Sequence, residues 1–142
     1  MLKCKNISFQ YNRSTWLFRN VNFALERGEI VGMFGKSGSG KTTLAKIMAN
    51  YLSPAEGEVI IDGEKSVFPK VYPVQLIWQH PEQAINPKWK LSETIEEVEE
   101  LDKEIIDILG IKREWFNRRP HELSGGELQR FCIVRAFHPD TR

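Results

Sequence analysis

The glycine-rich run at residues 35–42 contains the side chains best suited to chemistry in this chain. It reads Gly-Lys-Ser-Gly-Ser-Gly-Lys-Thr and matches the P-loop pattern G-x-x-x-x-G-K-[ST]. Its glycines allow successive backbone N–H groups to point at a phosphate chain, and a following helix would add the positive end of its dipole. Lys41 can place an ammonium group near the terminal phosphates, and Thr42 can offer its hydroxyl to Mg²⁺. The run therefore predicts binding of a nucleoside triphosphate together with Mg²⁺.

Two flanking segments are needed to hold this loop, and the sequence contains a candidate for each. Residues 29–34 are mostly apolar and predict a short strand that leads into the loop. Residues 41–52 carry apolar side chains at helical spacing and predict the helix that follows. A glycine-rich turn without a ligand is the alternative interpretation, but Lys and Thr directly after the last glycine favour nucleotide binding.

A second glycine-containing motif lies later in the sequence. Residues 123–127 read Leu-Ser-Gly-Gly-Glu, and the run from Glu127 to Phe137 predicts a helix. Ser124 combines a hydroxyl group with two permissive glycines at this helix start, which makes a second potential anion-binding site. An ordinary helix capped by a serine is the alternative. Two such sites are more than one triphosphate needs, unless each nucleotide is bound between two molecules.

The order of these motifs resembles that of ATP-binding cassette (ABC) proteins, over nearly the whole chain. Tyr11 precedes the P-loop, Gln79 follows a later apolar run, and residues 123–127 are similar to the signature motif of the family. Residues 78–81 (Trp-Gln-His-Pro) and 120–122 (Pro-His-Glu) look most like the branch that imports peptides and nickel. The resemblance implies an ATPase subunit of a transporter, with ATP and Mg²⁺ as its cofactors.

The resemblance also implies roles for particular residues. Tyr11 is at the position of the aromatic residue that stacks on adenine, with Trp16 as the alternative. Gln79 is at the position of a residue that contacts Mg²⁺ and the attacking water. Lys41 and Gln79 are thus the expected catalytic residues, and Thr42 and Gln79 the expected metal ligands. The expected nucleotide-binding residues are Tyr11, Gly35, Lys36, Ser37, Gly38, Ser39, Gly40, Lys41, Thr42 and Thr43. The residues expected to contact the ATP of a partner are Leu123, Ser124, Gly125, Gly126 and Glu127.

Two kinds of partner follow from the same resemblance. In this family two cassettes meet head to tail, and each signature motif closes over the ATP on the P-loop of the other. Membrane-spanning permease subunits dock against the helical part of a cassette, and residues 79–89 are the segment expected to receive them. Trp89 or Trp78 could anchor that contact, with a place in the hydrophobic core as the alternative for each. We expect a protein bound peripherally to the inner face of the cell membrane.

Composition agrees with one globular domain. The chain has 142 residues, of which 41% are hydrophobic and 27% charged, and its formal net charge is +1. Its dispersed charges argue against a nucleic-acid partner. No apolar run approaches the roughly 20 residues that a membrane-spanning helix needs, and residues 1–5 lack the apolar core of a signal peptide. These features predict a cytoplasmic protein in which Cys4 and Cys132 are reduced and partly buried.

The remaining pattern predicts an α/β fold, with a P-loop NTPase core, an N-terminal antiparallel β subdomain and an inserted helical subdomain. Strands are predicted at residues 2–11, 21–25, 58–61 and 74–78, with a turn at Asp62-Gly63. Residues 92–109 predict one apolar stripe of helix between Ser92 as N-cap and Gly110 as stop. The expected division is a β subdomain and P-loop core at 1–80, a helical subdomain at 81–122, and the signature motif with its helix at 123–142.

Part of the family pattern has no counterpart in these residues. The pattern continues with a strand that ends in an Asp, a Glu that activates water, and a later His. The candidates for these roles lie in other contexts: Asp140, His80, His121 and His138. We therefore expect the C-terminal part of the core to be missing, and ATP binding with little turnover. Either the intact protein is longer, or the chain is a shortened, non-hydrolysing nucleotide-binding module.

Overall fold

The computed structural model describes residues 1–12, 14–65, 73–97, 103–137 and 141. The chain forms two compact units, Met1–Val74 and Gln75–Arg142. Each unit contains its own hydrophobic core. The predicted division at residues 80/81 and 122/123 stays a prediction. Among the described residues, no helix has both the length and the apolar character needed to cross a membrane.

An antiparallel sheet of four strands forms much of the first unit. The strands are β1 (Leu2–Phe9), β2 (Phe18–Leu25), β3 (Glu56–Ile61) and β4 (Glu64–Lys65), in the order β2-β1-β3-β4. β1 pairs with both neighbours, so that Leu2 lies opposite Leu25 on one side and Ile61 on the other. Asp62 and Gly63 join β3 to β4 with φ angles of 50° and 89°, as a tight hairpin turn requires. The predicted antiparallel subdomain and its turn are confirmed.

Helix α1 (Lys41–Met48) packs its apolar face on this sheet. The buried residues of this core are Cys4, Ile7, Phe9, Leu44, Ile47 and Val59. Strand side chains alternate between faces, yet Cys4 and Ile7 lie in the same core although they are three residues apart. An irregularity in the β1 register between them, where Asn6 has a φ of 52°, changes the parity.

Helix α1 ends four residues earlier than the apolar spacing predicts. Asn50 adopts a left-handed conformation with a φ of 63°. The N–H of Tyr51 donates to Lys46 O at 2.8 Å, and the N–H of Asn50 donates to Ile47 O at 3.1 Å. These two bonds form a Schellman motif, which satisfies the last carbonyl groups and stops the helix before Leu52.

Two predicted strands are wrong. Residues 29–34, which lead into the loop, and residues 74–78 have no strand conformation. Ile30 and Phe34 are 98% and 95% exposed. A strand is defined by the ladder it forms with a neighbour, and within the described ranges no segment pairs with either run.

The second unit is helical in its described parts. It contains α2 (Leu91–Glu96), α3 (Lys103–Ile108), α4 (Gly125–Ala136) and short 3₁₀ turns at Pro81–Gln83, Arg113–Asn117 and Pro120–Glu122. Its buried core consists of Ile85, Leu91, Ile95, Ile111, Trp115, Leu128, Phe131, Cys132 and Val134. Three of these residues come from α2 and the segment before it, four come from α4, and the segment between α3 and α4 adds Ile111 and Trp115.

The single stripe of helix predicted at residues 92–109 is also wrong. Lys90, not Ser92, is the N-cap of α2, because the Glu93 carboxylate accepts the Lys90 N–H at 2.6 Å. Helix α2 ends at Glu96, well before residue 109. Of the predicted stripe, Ile95 is buried and Ile105 and Leu109 pack partly against the core, whereas Ile108 is 73% exposed. Val98 and Leu101 of that stripe lie outside the described residues. Gly110 has a φ of 61° just after α3, which confirms the predicted stop.

Both cysteines are free and buried, as predicted. Burial raises the pKa of the Cys4 thiol to about 11, because a thiolate would lose its hydration there. Burial also raises the pKa of Cys132. At neutral pH both side chains are therefore protonated and act as small apolar core residues.

Candidate nucleotide-binding site

The N-terminus of α1 has no side-chain cap. Its N-cap residue is Gly40, with φ 92° and ψ 10°, a conformation that side chains with a Cβ rarely adopt. The first turn contains no acidic residue. Because the first N–H groups of a helix have no intrahelical acceptor, those of Lys41, Thr42 and Thr43 are available to an external anion.

The Lys41 side chain folds back across the glycine-rich loop. Its Nζ donates to Gly35 O at 2.8 Å and to Lys36 O at 3.0 Å. A Cβ placed on Gly35 would lie 2.8 Å from Ser39 Oγ, so a larger residue at that position would force the Ser39 hydroxyl to move. Phosphate oxygens would form stronger, charge-assisted bonds with this ammonium than the neutral carbonyl groups do. The loop therefore fits a polyphosphate group.

The end of the loop is fixed by the sheet below it. A Cβ on Gly40 would lie 2.7 Å from Cδ1 of Phe18, the first residue of β2. Phe18 in turn packs against the core that α1 shares with the sheet. The glycine thus serves two purposes, since it supplies the left-handed backbone and leaves room for the ring.

Tyr11 lies beside the first turn of α1. Its hydroxyl is 2.7 Å from Thr43 Oγ1, and either group can be the donor. Its ring meets the Phe9 ring edge to face, with centroids 5.0 Å apart and an interplanar angle of 86°. The side chain is 69% exposed, which leaves ring surface available for stacking. Trp16, the alternative, is half-buried, and the Arg19 guanidinium lies 4.9 Å from its ring centroid.

The oxygen atoms in this region suit a hard cation, such as Mg²⁺, that is held mostly by the phosphates of a bound nucleotide. Thr42 is exposed on the first turn of α1. In the described ranges, no group of three or more His, Cys, Asp or Glu side chains could hold a metal alone. Mg²⁺ usually binds to few protein oxygens together with water and substrate phosphates. The single hydroxyl group of Thr42 is compatible with this coordination.

Gln79 belongs to the second unit, where it is exposed at a bend before the Pro81–Gln83 turn. Its predicted contacts with Mg²⁺ and the attacking water stay predictions.

The Leu-Ser-Gly-Gly-Glu motif forms the start of α4. Ser124 is the N-cap, and its Oγ accepts the Glu127 N–H at 3.4 Å. The Glu127 carboxylate accepts both the Ser124 N–H and the Ser124 hydroxyl proton at 2.8 Å. Both bonds lower the pKa of Glu127, and the bond from the Ser124 backbone has the larger effect. The predicted helix is confirmed, although it begins at Gly125.

The glycines of this motif face open space. A Cβ added to Gly125 or Gly126 would meet no atom within 4 Å, and neither has a positive φ. Leu123, by contrast, packs partly against the core of the second unit. The motif thus combines an anchored leucine with an exposed polar turn.

Sequence reasoning missed a row of contacts between α4 and the segment that follows Val74. Gln129 Nε2 donates to Trp78 O at 3.3 Å, and Arg135 Nη1 donates to Ala84 O at 2.6 Å. Between them, Cys132 Sγ lies 3.8 Å from Pro81 O. The only signal was the spacing of three between these α4 residues, which places them along one helix face. The backbone of residues 78–84 is therefore tied to the signature helix.

Comparison with known proteins places this geometry among transporter ATPases. The family described as ABC transporter matches residues 18–142. A nickel import system ATP-binding protein, NikE of Staphylococcus aureus (strain MSSA476), is 29% identical over an alignment of 155 positions. That alignment covers 100% of this chain and 63% of NikE. An oligopeptide transport ATP-binding protein, OppF of Streptococcus mutans, is 30% identical, with 96% of this chain and 52% of OppF covered.

Two solved structures of one cassette with the same fold are dimeric. The dimeric structure of the bacterial ABC transporter cassette MJ0796 is 26% identical to this chain, with a TM-score of 0.82. It matches 99% of this chain and 71% of its own. A second structure of that cassette, in a post-hydrolysis state with bound ADP and Pi, has a TM-score of 0.78 at 25% identity, with the same coverage. The chain therefore covers only part of the relatives that it resembles.

Proposed function

The chain belongs to the ABC transporter family, and we propose that it is an ATP-binding subunit that couples ATP binding and hydrolysis to the import of a small solute. The observation that supports this most directly is the position of Lys41 Nζ, 2.8 Å from Gly35 O inside a loop that precedes an uncapped helix start. The names of NikE and OppF point to nickel or a peptide as the solute class.

Residues of the first unit would contact different parts of the nucleotide. Lys41 exchanges its two carbonyl acceptors for oxygens of the terminal phosphates, and the N–H groups of Lys41, Thr42 and Thr43 donate to the phosphate chain. Tyr11 stacks on the adenine ring. These contacts bind and orient ATP before any reaction with water.

The metal and the attacking water are assigned to two further residues. Thr42 would hold Mg²⁺ through its hydroxyl, and Gln79 would contact the metal and the water through its amide. Bound Mg²⁺ would neutralise charge that develops on the phosphates. Hydrolysis also needs a carboxylate that activates the water, and residues 1–142 contain no match to that position of the family pattern. Release of phosphate from Mg-ATP is therefore the direct test of hydrolysis.

We propose that two cassettes bind two ATP molecules head to tail. Residues 123–127 of one would contact the ATP on the P-loop of the other, and the dimeric state of the cassette MJ0796 supports this arrangement. The N–H groups of Gly125 and Gly126 are the donors available for that contact, because the N–H and the hydroxyl of Ser124 already donate to Glu127. The partner is either a second copy or a related cassette.

We further propose that residues 79–89 receive a permease subunit, which would place the protein on the inner face of the membrane. Trp89 is 36% exposed, so it can offer apolar surface to a partner. The three contacts from α4 to residues 78–84 support this role. They would transmit a force on the docking segment directly to α4, the helix that Ser124 caps.

The first experiment is a titration of the purified native protein with Mg-ATP, followed by an assay for released phosphate. Binding with phosphate release would support the ATPase. Binding without release would favour the alternative, a non-hydrolysing nucleotide-binding module. Absence of binding would contradict both.

The docking proposal predicts that Trp89→Ala weakens co-purification with the permease. Loss of a partly buried aromatic anchor typically costs about 2 kcal/mol or more at an interface. Ile108→Ala is the matched control, because Ile108 is an exposed apolar side chain outside the docking segment. Mg-ATP affinity should stay unchanged in both variants. Equal recovery of the permease with wild type and Trp89→Ala would contradict the docking role.

A further inference from the structure

Thr43 and Tyr11 form a pair whose members differ strongly in burial. Thr43 is 5% exposed and Tyr11 is 69% exposed, yet their hydroxyl groups are 2.7 Å apart. The Tyr11 hydroxyl could bond to water instead, as most exposed tyrosine hydroxyls do. The direct bond therefore does more than satisfy the tyrosine, because it fixes one end of an exposed ring to a buried position.

The other contact of the ring restricts it further. Phe9 holds the Tyr11 ring edge to face at 5.0 Å, and Phe9 itself belongs to the buried core of the first unit. A ring held by an edge contact and by its hydroxyl has lost most of its rotamer freedom before any ligand arrives. A flexible side chain would lose that freedom on binding and thereby weaken the complex.

Thr43 also belongs to the same helical turn as the phosphate-binding groups. Lys41, Thr42 and Thr43 are the first three residues of α1. The ring orientation and the phosphate donors are thus set by one rigid element, which fixes the distance between a stacked base and the phosphates.

We propose that Thr43 is a positioning residue for the nucleobase: its hydroxyl orients the Tyr11 ring so that the ring stacks on the base of a nucleotide bound at the start of α1. This inference rests on the proposed nucleotide-binding function and assigns a role within that site. The Thr43 side chain acts through Tyr11, whereas its backbone N–H faces the phosphates.

Four variants separate this role from a direct phosphate contact. Tyr11→Phe keeps the ring and removes its hydroxyl, and Thr43→Val keeps the branched shape and removes the other hydroxyl. The double variant combines both changes, and Thr43→Ser restores a hydroxyl at the buried position. Calorimetric titrations of the native protein and each variant use two probes, Mg-ATP and Mg-tripolyphosphate, of which the second lacks a base.

Tyr11→Phe and Thr43→Val should each bind Mg-ATP roughly threefold to tenfold more weakly, which corresponds to the net loss of one hydrogen bond. The double variant should bind no more weakly than Tyr11→Phe or Thr43→Val alone, because both changes remove the same bond. Thr43→Ser should bind ATP like wild type, and no variant should change the affinity for tripolyphosphate. Unchanged melting temperatures would show that the fold is retained.

Several outcomes would overturn the proposal. If Thr43→Val weakens tripolyphosphate as much as ATP, the hydroxyl contacts phosphate directly. Additive losses in the double variant, or wild-type ATP affinity in Tyr11→Phe, would show that the bond does not position the base. If wild type binds neither probe, the nucleotide site itself is wrong, whereas tripolyphosphate binding without a preference for ATP would overturn the base contact alone.

Discussion

The N-termini of α1 and α4 both follow glycine-containing runs, but their hydrogen bonds are arranged in opposite ways. At α1, Gly40 provides no side-chain acceptor, and Lys41 adds a positive charge to the first turn. At α4, Ser124 Oγ accepts the Glu127 N–H, and the Glu127 carboxylate accepts two protons from Ser124. α1 leaves its donors to an external anion, whereas α4 satisfies some of its donors internally.

Two glycine-containing helix starts can thus differ in how open they are to an anion, because the capping bonds and the charge in the first turn also matter. The ionised Glu127 already occupies the region where the α4 dipole favours a negative charge. A phosphate that approaches α4 would meet this carboxylate and would find the glycine N–H groups as its remaining donors. We therefore expect α1 to bind phosphate in a single molecule, and α4 to do so only when a partner already holds the nucleotide.

The largest expected effect comes from Lys41→Ala. Hydrogen bonds to charged groups contribute about 1.5–3 kcal/mol each, so loss of this ammonium should lower Mg-ATP affinity by roughly 100-fold. Isothermal titration calorimetry measures the change. Lys5→Ala is the control, because Lys5 is an exposed lysine on β1. If Lys41→Ala kept the wild-type affinity, the open helix start of α1 would not be the nucleotide site.

The next largest effect is expected from alanine substitutions at the glycines before α1, which can be compared with one at the start of α4. Gly40→Ala should lower the free energy of unfolding by about 1–3 kcal/mol. The backbone at this position has a φ of 92°, which strains any residue with a Cβ, and the added Cβ would lie 2.7 Å from the Phe18 ring. Gly38→Ala shares the positive φ but meets no atom within 4 Å, so it should cost less.

The opposite sign is expected at α4 for Gly126→Ala. The new methyl group meets open space, and alanine favours a helix over glycine by up to about 1 kcal/mol. Urea unfolding curves compare all three glycine variants. Destabilisation by Gly126→Ala of the same size as by Gly40→Ala would remove the structural distinction between the two helix starts.

Ser124→Ala should destabilise the second unit by about 1 kcal/mol, the usual cost of losing an N-cap acceptor. Ser124→Thr is the matched control, because threonine keeps the hydroxyl group. Urea unfolding with equal slopes for the two variants measures the difference. Equal stability of Ser124→Ala and wild type would mean that the capping bonds at α4 contribute nothing.

The smallest effect concerns the charge on Glu127. Because its pKa is lower in the folded chain than in the unfolded chain, ionised Glu127 contributes stability above the ordinary glutamic acid range. That contribution should disappear as the pH falls through the lowered pKa, and Glu127→Gln should lack this pH-dependent part. Urea midpoints of both proteins, measured from neutral to acidic pH, test this. Parallel pH profiles would show that the carboxylate has no special role at α4.

Local features of both helix starts could be predicted from the sequence. The P-loop pattern placed the start of α1 at Lys41, and the Ser-Gly-Gly-Glu run offered Ser124 as a helix cap, which was the alternative to an anion site. The Asp62-Gly63 hairpin turn was predicted for the same reason. In each case the interacting groups lie at most six positions apart, so the residue types along a short stretch of chain are sufficient to predict the local structure.

Features that depend on distant segments could not be predicted in this way. Residues 29–34 have the composition of a strand, but a strand also needs a partner for its ladder, which composition does not reveal. The helix predicted at residues 92–109 failed similarly, because apolar spacing cannot tell that Ile108 faces solvent. Apolar character indicates what a segment can bury, and the neighbours decide whether it does.

The sequence by itself predicted the start of α1 after the P-loop pattern, the helix that follows Ser124 and the family to which the chain belongs, because these depend on residue types at short, fixed spacing. Only the tertiary structure revealed that Tyr11 bonds to Thr43, 32 positions later, and that Arg135 reaches Ala84, 51 positions earlier. Such contacts form only when whole helices and strands pack together and close long loops. The distances between these side chains therefore cannot be predicted from any local sequence pattern.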